Sequence, residues 1–343
     1  MQKARAGSKY ELKLHFWKLG AFELNTDFDL NLRKPGHKSS ALHHWSKAPK
    51  KAFSKSHILV PFYLRHKSRP PTPWNTIRQA KAFGSACVTL PKFSPITASE
   101  DCLFMNIIKP AASSPNSKGY PIMLWIHGGG FLAGSAADYP YNATADRIVE
   151  NGVIFISINY RQGAFGFFST SDSKAPGNYG LWDQVQALKF IKKVIKKFNG
   201  NPKNVTIFGQ SSGAISASLL SLSPATNGLF HRTIVMSGSS NHRFELMNKN
   251  SNESLQLSNI LNCGNLTNTK VCLKTKTTAE IQNAMASVIQ YLFGGDSTPL
   301  TGFIPRVDKD LIPNISYEKL IKRAPKRDIF IGLNNQEWYV FGK

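Results

Sequence analysis

Hydrophobic and polar positions alternate along this chain on two distinct periods. Val153–Ile158 is a continuous apolar run, expected of a parallel strand covered on both faces. Pro121–Ile126, Val205–Phe208, Arg232–Ser237 and Arg327–Gly332, apolar or β-branched at most positions, read as further strands. Between them, Gln184–Ile195 carries apolar residues three and four apart with lysines opposite, which predicts an amphipathic helix. A small-residue segment, Ala214–Leu220, predicts another helix. Strands alternating with helical stretches point to an open, mostly parallel α/β sheet.

Two of the predicted strands run directly into glycine-rich turns. The Val205–Phe208 run enters Gly209-Gln210-Ser211-Ser212-Gly213, a Gly-x-Ser-x-Gly followed by a helix. In that context the serine sits on a sharp strand-to-helix turn, a nucleophile elbow. Its Oγ would then stand at a helix N-terminus, where free N–H groups favour developing negative charge. The earlier strand, ending at Ile126, runs into His127-Gly128-Gly129-Gly130-Phe131. An HGGG loop after a strand supplies backbone N–H donors for an oxyanion, together with the N–H of the residue after the nucleophile. Gly129, Gly130 and Ser212 are the candidate donors, groups whose removal costs about 3–4 kcal/mol of barrier each. Alone, a Gly-x-Ser-x-Gly is more often an ordinary turn than a catalytic one, and a glycine-rich loop a flexible turn.

The motifs do not stand alone. Pro73-Trp74, Phe83–Cys87, Ser99–Asn106, Asn159–Phe167, Gly177–Gln184, Phe198–Pro202 and Phe303–Asp308 accompany them in order. From about Pro71 to its last residue, the chain resembles the type-B carboxylesterases, the group that includes the cholinesterases and neuroligins. The resemblance implies an α/β-hydrolase fold and ester hydrolysis by an acyl-enzyme route, without metal or cofactor. It implies that Arg161 and Asp183 form a buried structural ion pair. It also implies disulfides between Cys87 and Cys102 and between Cys263 and Cys272, and hence an oxidising, secretory compartment. The Val88–Asp101 loop holds no tryptophan, whereas cholinesterases use one there to bind a quaternary ammonium; a generic carboxylic ester is the better expectation. Gln210 stands where most of the family carries glutamate, which removes one negative charge beside the serine.

The triad order in this fold is Ser, then Asp or Glu, then His. The resemblance implies an acid a few positions after the late strand; the equivalent turn, Leu333–Trp338, makes Glu337 the candidate, and no histidine follows it. After Ser211 the sequence offers His231 and His242, neither placed as a base. The chain as it stands is therefore expected to be incomplete or inactive, with a sheet edge and apolar helix faces uncovered. A non-catalytic, neuroligin-like binding protein is the competing expectation.

Charge changes the picture only at the N-terminus. The chain has 43 Lys and Arg against 20 Asp and Glu, a net charge of +23. Residues 1–70 hold 15 of those cations and 4 of the acids, and form a basic, atypical segment ahead of the 71–343 domain. No aromatic stripe or nucleic-acid motif accompanies them, so a solvated tail is expected rather than a nucleic-acid arm. No apolar signal segment opens the sequence, and no run is long enough to span a bilayer. Sequons at Asn142, Asn204, Asn252, Asn265 and Asn314 are candidate glycosylation sites. Oligomeric state is not readable.

Overall fold

The computed structural model describes residues 52–53, 68, 73–74, 82–90, 98–241, 252–264, 266–293, 302–335 and 337. Six strands form one sheet: β1 (Met105–Ile108), β2 (Tyr120–Ile126), β3 (Ile154–Ile158), β4 (Gly200–Gln210), β5 (Arg232–Met236) and β6 (Asp328–Gly332). Their order is β6-β5-β4-β2-β3-β1, with β1 antiparallel to β3 and every other pair parallel. The helices are α1 (Tyr141–Arg147), α2 (Gly163–Phe167), α3 (Tyr179–Val194), α4 (Ser212–Leu222), α5 (Asn252–Ile260), α6 (Leu266–Leu273), α7 (Thr278–Phe293) and α8 (Tyr317–Arg323).

The apolar runs are strands because both of their faces are buried. Ile122, Leu124 and Ile126 of β2 join Ile154, Ile156 and Ile158 of β3 in one cluster, with Leu188 and Ile191 of α3 and Leu220 of α4. Their alternates, Met123, Trp125 and Phe155, pack on the opposite face with Phe208, Ala145 of α1 and Val149. A period of two within a uniformly apolar run thus feeds two separate cores.

Two boundaries differ from the sequence expectation. Strand β4 begins at Gly200 rather than Val205, because Gly200 pairs with Tyr120 before a register irregularity hands over to the Val205–Ile122 pair. Helix α3 begins at Tyr179 rather than Gln184. Asn178 adopts a left-handed φ of 59° ahead of it, and its side chain exchanges two hydrogen bonds with the Arg306 backbone, at 2.6 and 2.8 Å. That fixes the helix start by a contact distant in sequence, which periodicity does not report.

The disulfides Cys87–Cys102 and Cys263–Cys272 are both present. On the far side of the sheet, β6 pairs with β5 and exposes Ile329 and Ile331, with Leu333 exposed just past its end. Of the basic segment 1–70, only Ala52–Phe53, paired antiparallel with Pro73–Trp74, and Ser68 lie among the described residues.

Candidate active site

Strands β2 and β4 are neighbours in register, Ile126 opposite Gly209, so the loops leaving their C-terminal ends emerge side by side. Ser211 is the first residue beyond β4 and precedes α4 directly. Its φ of 56° and ψ of −124° place a β-carbon-bearing residue in a sparsely populated backbone region. Conformations of this kind cost about 1–3 kcal/mol and persist only where the surroundings over-determine them. Here the surroundings are explicit. The Ser211 N–H donates to Met236 O at 2.9 Å, and the Ser211 carbonyl accepts from Ile215 N–H at 2.9 Å. A β-carbon added to Gly213 would collide with Ile126 O, so the helix can start hard against β2 only with glycine there.

The glycine-rich loop lies against this turn. A β-carbon on Gly128 would stand 3.3 Å from Ser211 Cβ and 2.7 Å from Gln210 O. Gly129 and Gly130 both have positive φ, 114° and 66°. Gly129 is exposed and Gly130 half-buried, whereas Ser212, the first residue of α4, is buried. The structure therefore sets Gly128, in the glycine-rich loop, beside Ser211 and the N-terminus of α4.

Sequence reasoning did not assign what holds this loop. The segment following β3 clamps it by its carbonyls: Tyr160 Oη donates to His127 O at 2.8 Å, Gln162 Nε2 to Gly134 O at 2.8 Å, and Gly163 N–H to Phe131 O at 2.6 Å. Binding a loop by its C=O groups leaves N–H groups to point elsewhere. Burial raises the Tyr160 phenol well above the ordinary tyrosine range, against a smaller lowering by the Ser212 side chain, so it stays a donor. The His127 ring stacks on Tyr160, with centroids 4.5 Å apart. Burial lowers its pKa to about 4, against a smaller opposing effect of its contact with Gly128 O, so the imidazole is neutral. Tyr160 and Gln162 fall within the matched Asn159–Phe167 segment, the one signal that could have singled them out.

Arg161 turns the other way. Its Nε donates to Asp183 Oδ2 at 2.8 Å and its Nη2 to Oδ1 at 2.6 Å, and its own N–H donates to Oδ2 at 2.9 Å. Both side chains are buried, so this bidentate pair ties the clamping segment to α3.

Glu337 is exposed in the turn after β6, and its Oε1 accepts the Asn334 N–H at 2.8 Å. The turn is linked to the elbow in two steps, since Ser237 N–H donates to Gly332 O at 2.8 Å and Ser211 N–H donates to Met236 O. His231 sits at the N-terminal end of the strands, opposite the end that carries Ser211. Val205 N–H donates to its Nδ1 at 3.3 Å, six residues before Ser211, which is about 20 Å along a strand. It cannot reach the serine. His242 and Asn265 lie outside the described residues.

Among the remaining sequons, Asn142, Asn252 and Asn314 are exposed. Asn204 lies inside β4, half-buried, with its Oδ1 accepting from Arg232 Nη1 at 2.7 Å, which makes it the poorest acceptor of the four. Among the described residues no helix is long and apolar enough to cross a membrane.

Comparison with known proteins places the chain in a family. The profile described as "Carboxylesterase family" matches residues 64–343, opening seven residues ahead of Pro71. Gut esterase 1 of Caenorhabditis briggsae is 39% identical over 279 residues, covering 80% of this chain and 48% of the relative. Carboxylesterase 5A of Mus musculus is 37% identical over 288 residues, covering 79% and 47%. Carboxylesterase 1C of Mus musculus is 34% identical over 293 residues, covering 79% and 50%. The chain spans about half the length of these relatives. It belongs to the carboxylesterase family.

Proposed function

We propose that the protein hydrolyses carboxylic esters, with Ser211 as nucleophile. The observation that carries this reading is the Ser211 backbone, held at positive φ against the glycine-rich loop. Ser211 Oγ attacks the ester carbonyl, and the N–H groups of Gly129, Gly130 and Ser212 hold the tetrahedral oxyanion. The alcohol leaves, and water cleaves the acyl-enzyme in a second, mirrored step.

The proton acceptor is an imidazole oriented by Glu337. Strand β5 lies between β4 and β6, so the ends of those two strands are about 10 Å apart. That gap is roughly the span of one imidazole with a hydrogen bond at each end. Neither His127 nor His231 can fill it, for the reasons of burial and position given above. The histidine comes from outside the described residues. The two disulfides and the exposed sequons Asn142, Asn252 and Asn314 support a secreted glycoprotein.

A fluorophosphonate probe and a series of p-nitrophenyl esters test the assignment. In protein that carries that histidine, covalent labelling at Ser211 is expected, and turnover should fall by about a millionfold in Ser211→Ala. Folded protein carrying the histidine that neither labels nor turns over would show that the serine is not activated, and would favour the binding-protein reading.

A further inference from the structure

The charge carried by α3 is unrelated to the site at Ser211. Lys189, Lys192, Lys193, Lys196 and Lys197 follow an i, i+3, i+4, i+7, i+8 spacing through α3 and the short 3₁₀ turn that extends it, Ile195–Phe198. All five are exposed, while Leu188, Ile191 and Ile195 bury the other side. They therefore form one row about 12 Å long. Two cations in a last helical turn are ordinary complements to the helix dipole. Five are not, because every i, i+4 neighbour in the row is lysine against lysine, an arrangement that destabilises an isolated helix.

No acid relieves the row locally. Between Asp183 and Glu245 the sequence contains neither Asp nor Glu. Neighbouring elements add charge of the same sign. Lys192 Nζ donates to Gly228 O at 3.0 Å, which brings the row to the loop ahead of β5. His231, on that loop, has its pKa lowered first by burial and then by Arg232, Arg327 and Lys192 together. Lys203 and Lys326 are exposed at the adjoining ends of β4 and β6, and the acid facing this group is Asp328, paired with Arg232 at 3.3 Å.

We propose that this lysine row is a docking site for a sulfated polysaccharide. A linear polyanion matches a straight, uncompensated row of flexible point charges. An anionic bilayer is a poorer fit, since none of the exposed large apolar side chains belongs to α3 and nothing there would insert. A single-stranded nucleic acid would need stacking platforms, and the two aromatics beside the row, Phe190 and Phe198, are half-buried. Two disulfides imply folding in an oxidising compartment, where sulfated glycans are the abundant polyanions. The row lies toward the N-terminal ends of the strands and Ser211 at their C-terminal ends, so a docked glycan leaves the nucleophile open to solvent.

The test uses the whole chain and a labelled heparin oligosaccharide. Binding is expected at about 150 mM salt, near physiological ionic strength. The variant Lys192→Gln/Lys193→Gln/Lys196→Gln/Lys197→Gln should bind about tenfold or more weakly, with a shallower dependence of log Kd on log salt. A second variant, Lys3→Gln/Lys9→Gln/Lys13→Gln/Lys18→Gln, has the same net charge and should stay within about threefold of wild type. Heparin should also protect the row's amines from acylation in the unaltered protein, which reads the contact without any substitution. The proposal falls if wild type does not bind, if the N-terminal variant loses as much as the row variant, or if the amines are unprotected. Row-dependent capture of phosphatidylserine vesicles or single-stranded DNA in place of heparin overturns it equally.

Discussion

Tyr160 and His127 occupy a buried layer between the end of β2 and the segment after β3, their ring planes 21° apart. The tyrosine hydroxyl holds the loop through the His127 carbonyl, and the imidazole fills the space beneath. His127 is 1% exposed and its Nε2 has no hydrogen-bond partner among the described residues, so a proton there would be a charge without solvent. This makes stability depend on pH in a defined direction. In the unfolded chain the histidine titrates near 6.5, and in the folded protein at about 4. Above pH 6.5 both states are neutral and the stability is fully present. As pH falls from 6.5 toward 4 the unfolded chain binds the proton first, and about 3 kcal/mol is lost. Carboxylates whose pKa burial raises, Asp138, Glu253 and Asp308, act with the opposite sign at acid pH, so the raw profile is a composite. The difference between wild type and His127→Asn isolates the imidazole. Urea midpoints for the two should converge as pH falls from 6.5 to 4. Parallel profiles would show that His127 is protonated in the folded state.

At the scale of elements, α4 starts where it does because two glycines let helix and strands touch. A β-carbon on Gly209 would run into the Gly213 backbone, and one on Gly213 into Ile126 O. Gly213→Ala must therefore push α4 away from β2, and the elbow with it. A loss of about 1–3 kcal/mol is expected from overpacking of this kind, read by urea denaturation. Labelling of Ser211 should fall further than stability does, because the serine moves relative to Gly129 and Gly130. Unchanged labelling would mean the elbow absorbs the shift. The elements around this junction were legible in the sequence for a physical reason: β2, β3 and β4 are buried on both faces, so their runs are apolar or β-branched at most positions. The Gly-x-Ser-x-Gly and HGGG turns were legible because close backbone approach admits only glycine. The clamp by Tyr160 and Gln162 was not, since it joins positions 33 and 28 residues apart through side chain-to-carbonyl contacts that leave no periodic trace. The start of α3 was missed likewise, because Asn178 is fixed by Arg306, 128 residues further on. Glu337 was named only through the family resemblance, and its structural partner is the Asn334 N–H of its own turn.

On the scale of the whole molecule, the described part of the sheet ends differently on its two sides. At one side, β1 is the outermost described strand, antiparallel to β3, and contributes Ile107 and Ile108 to the two cores. At the other, β6 pairs with β5 and is charged only at its first residue, Asp328, which meets Arg232 at 3.3 Å. Beyond that residue Ile329, Ile331 and Leu333, on one face by strand alternation, are 51, 61 and 59% exposed. Among the described residues β6 has no outer neighbour, and an apolar stripe on such a strand is a template for pairing with another chain, the more so where neither lysine nor proline interrupts it. The chain's net charge of +23 works against association in general. Local pairing through β6 should therefore appear only as salt screens that repulsion. Sedimentation velocity at rising salt should show self-association in the unaltered protein. Ile331→Lys should suppress it, with stability changed by no more than about 0.5 kcal/mol because the side chain is already exposed. The opposite salt dependence, with association strongest at low ionic strength, would assign the contact to charge rather than to the β6 stripe, and would leave Ile331→Lys without effect.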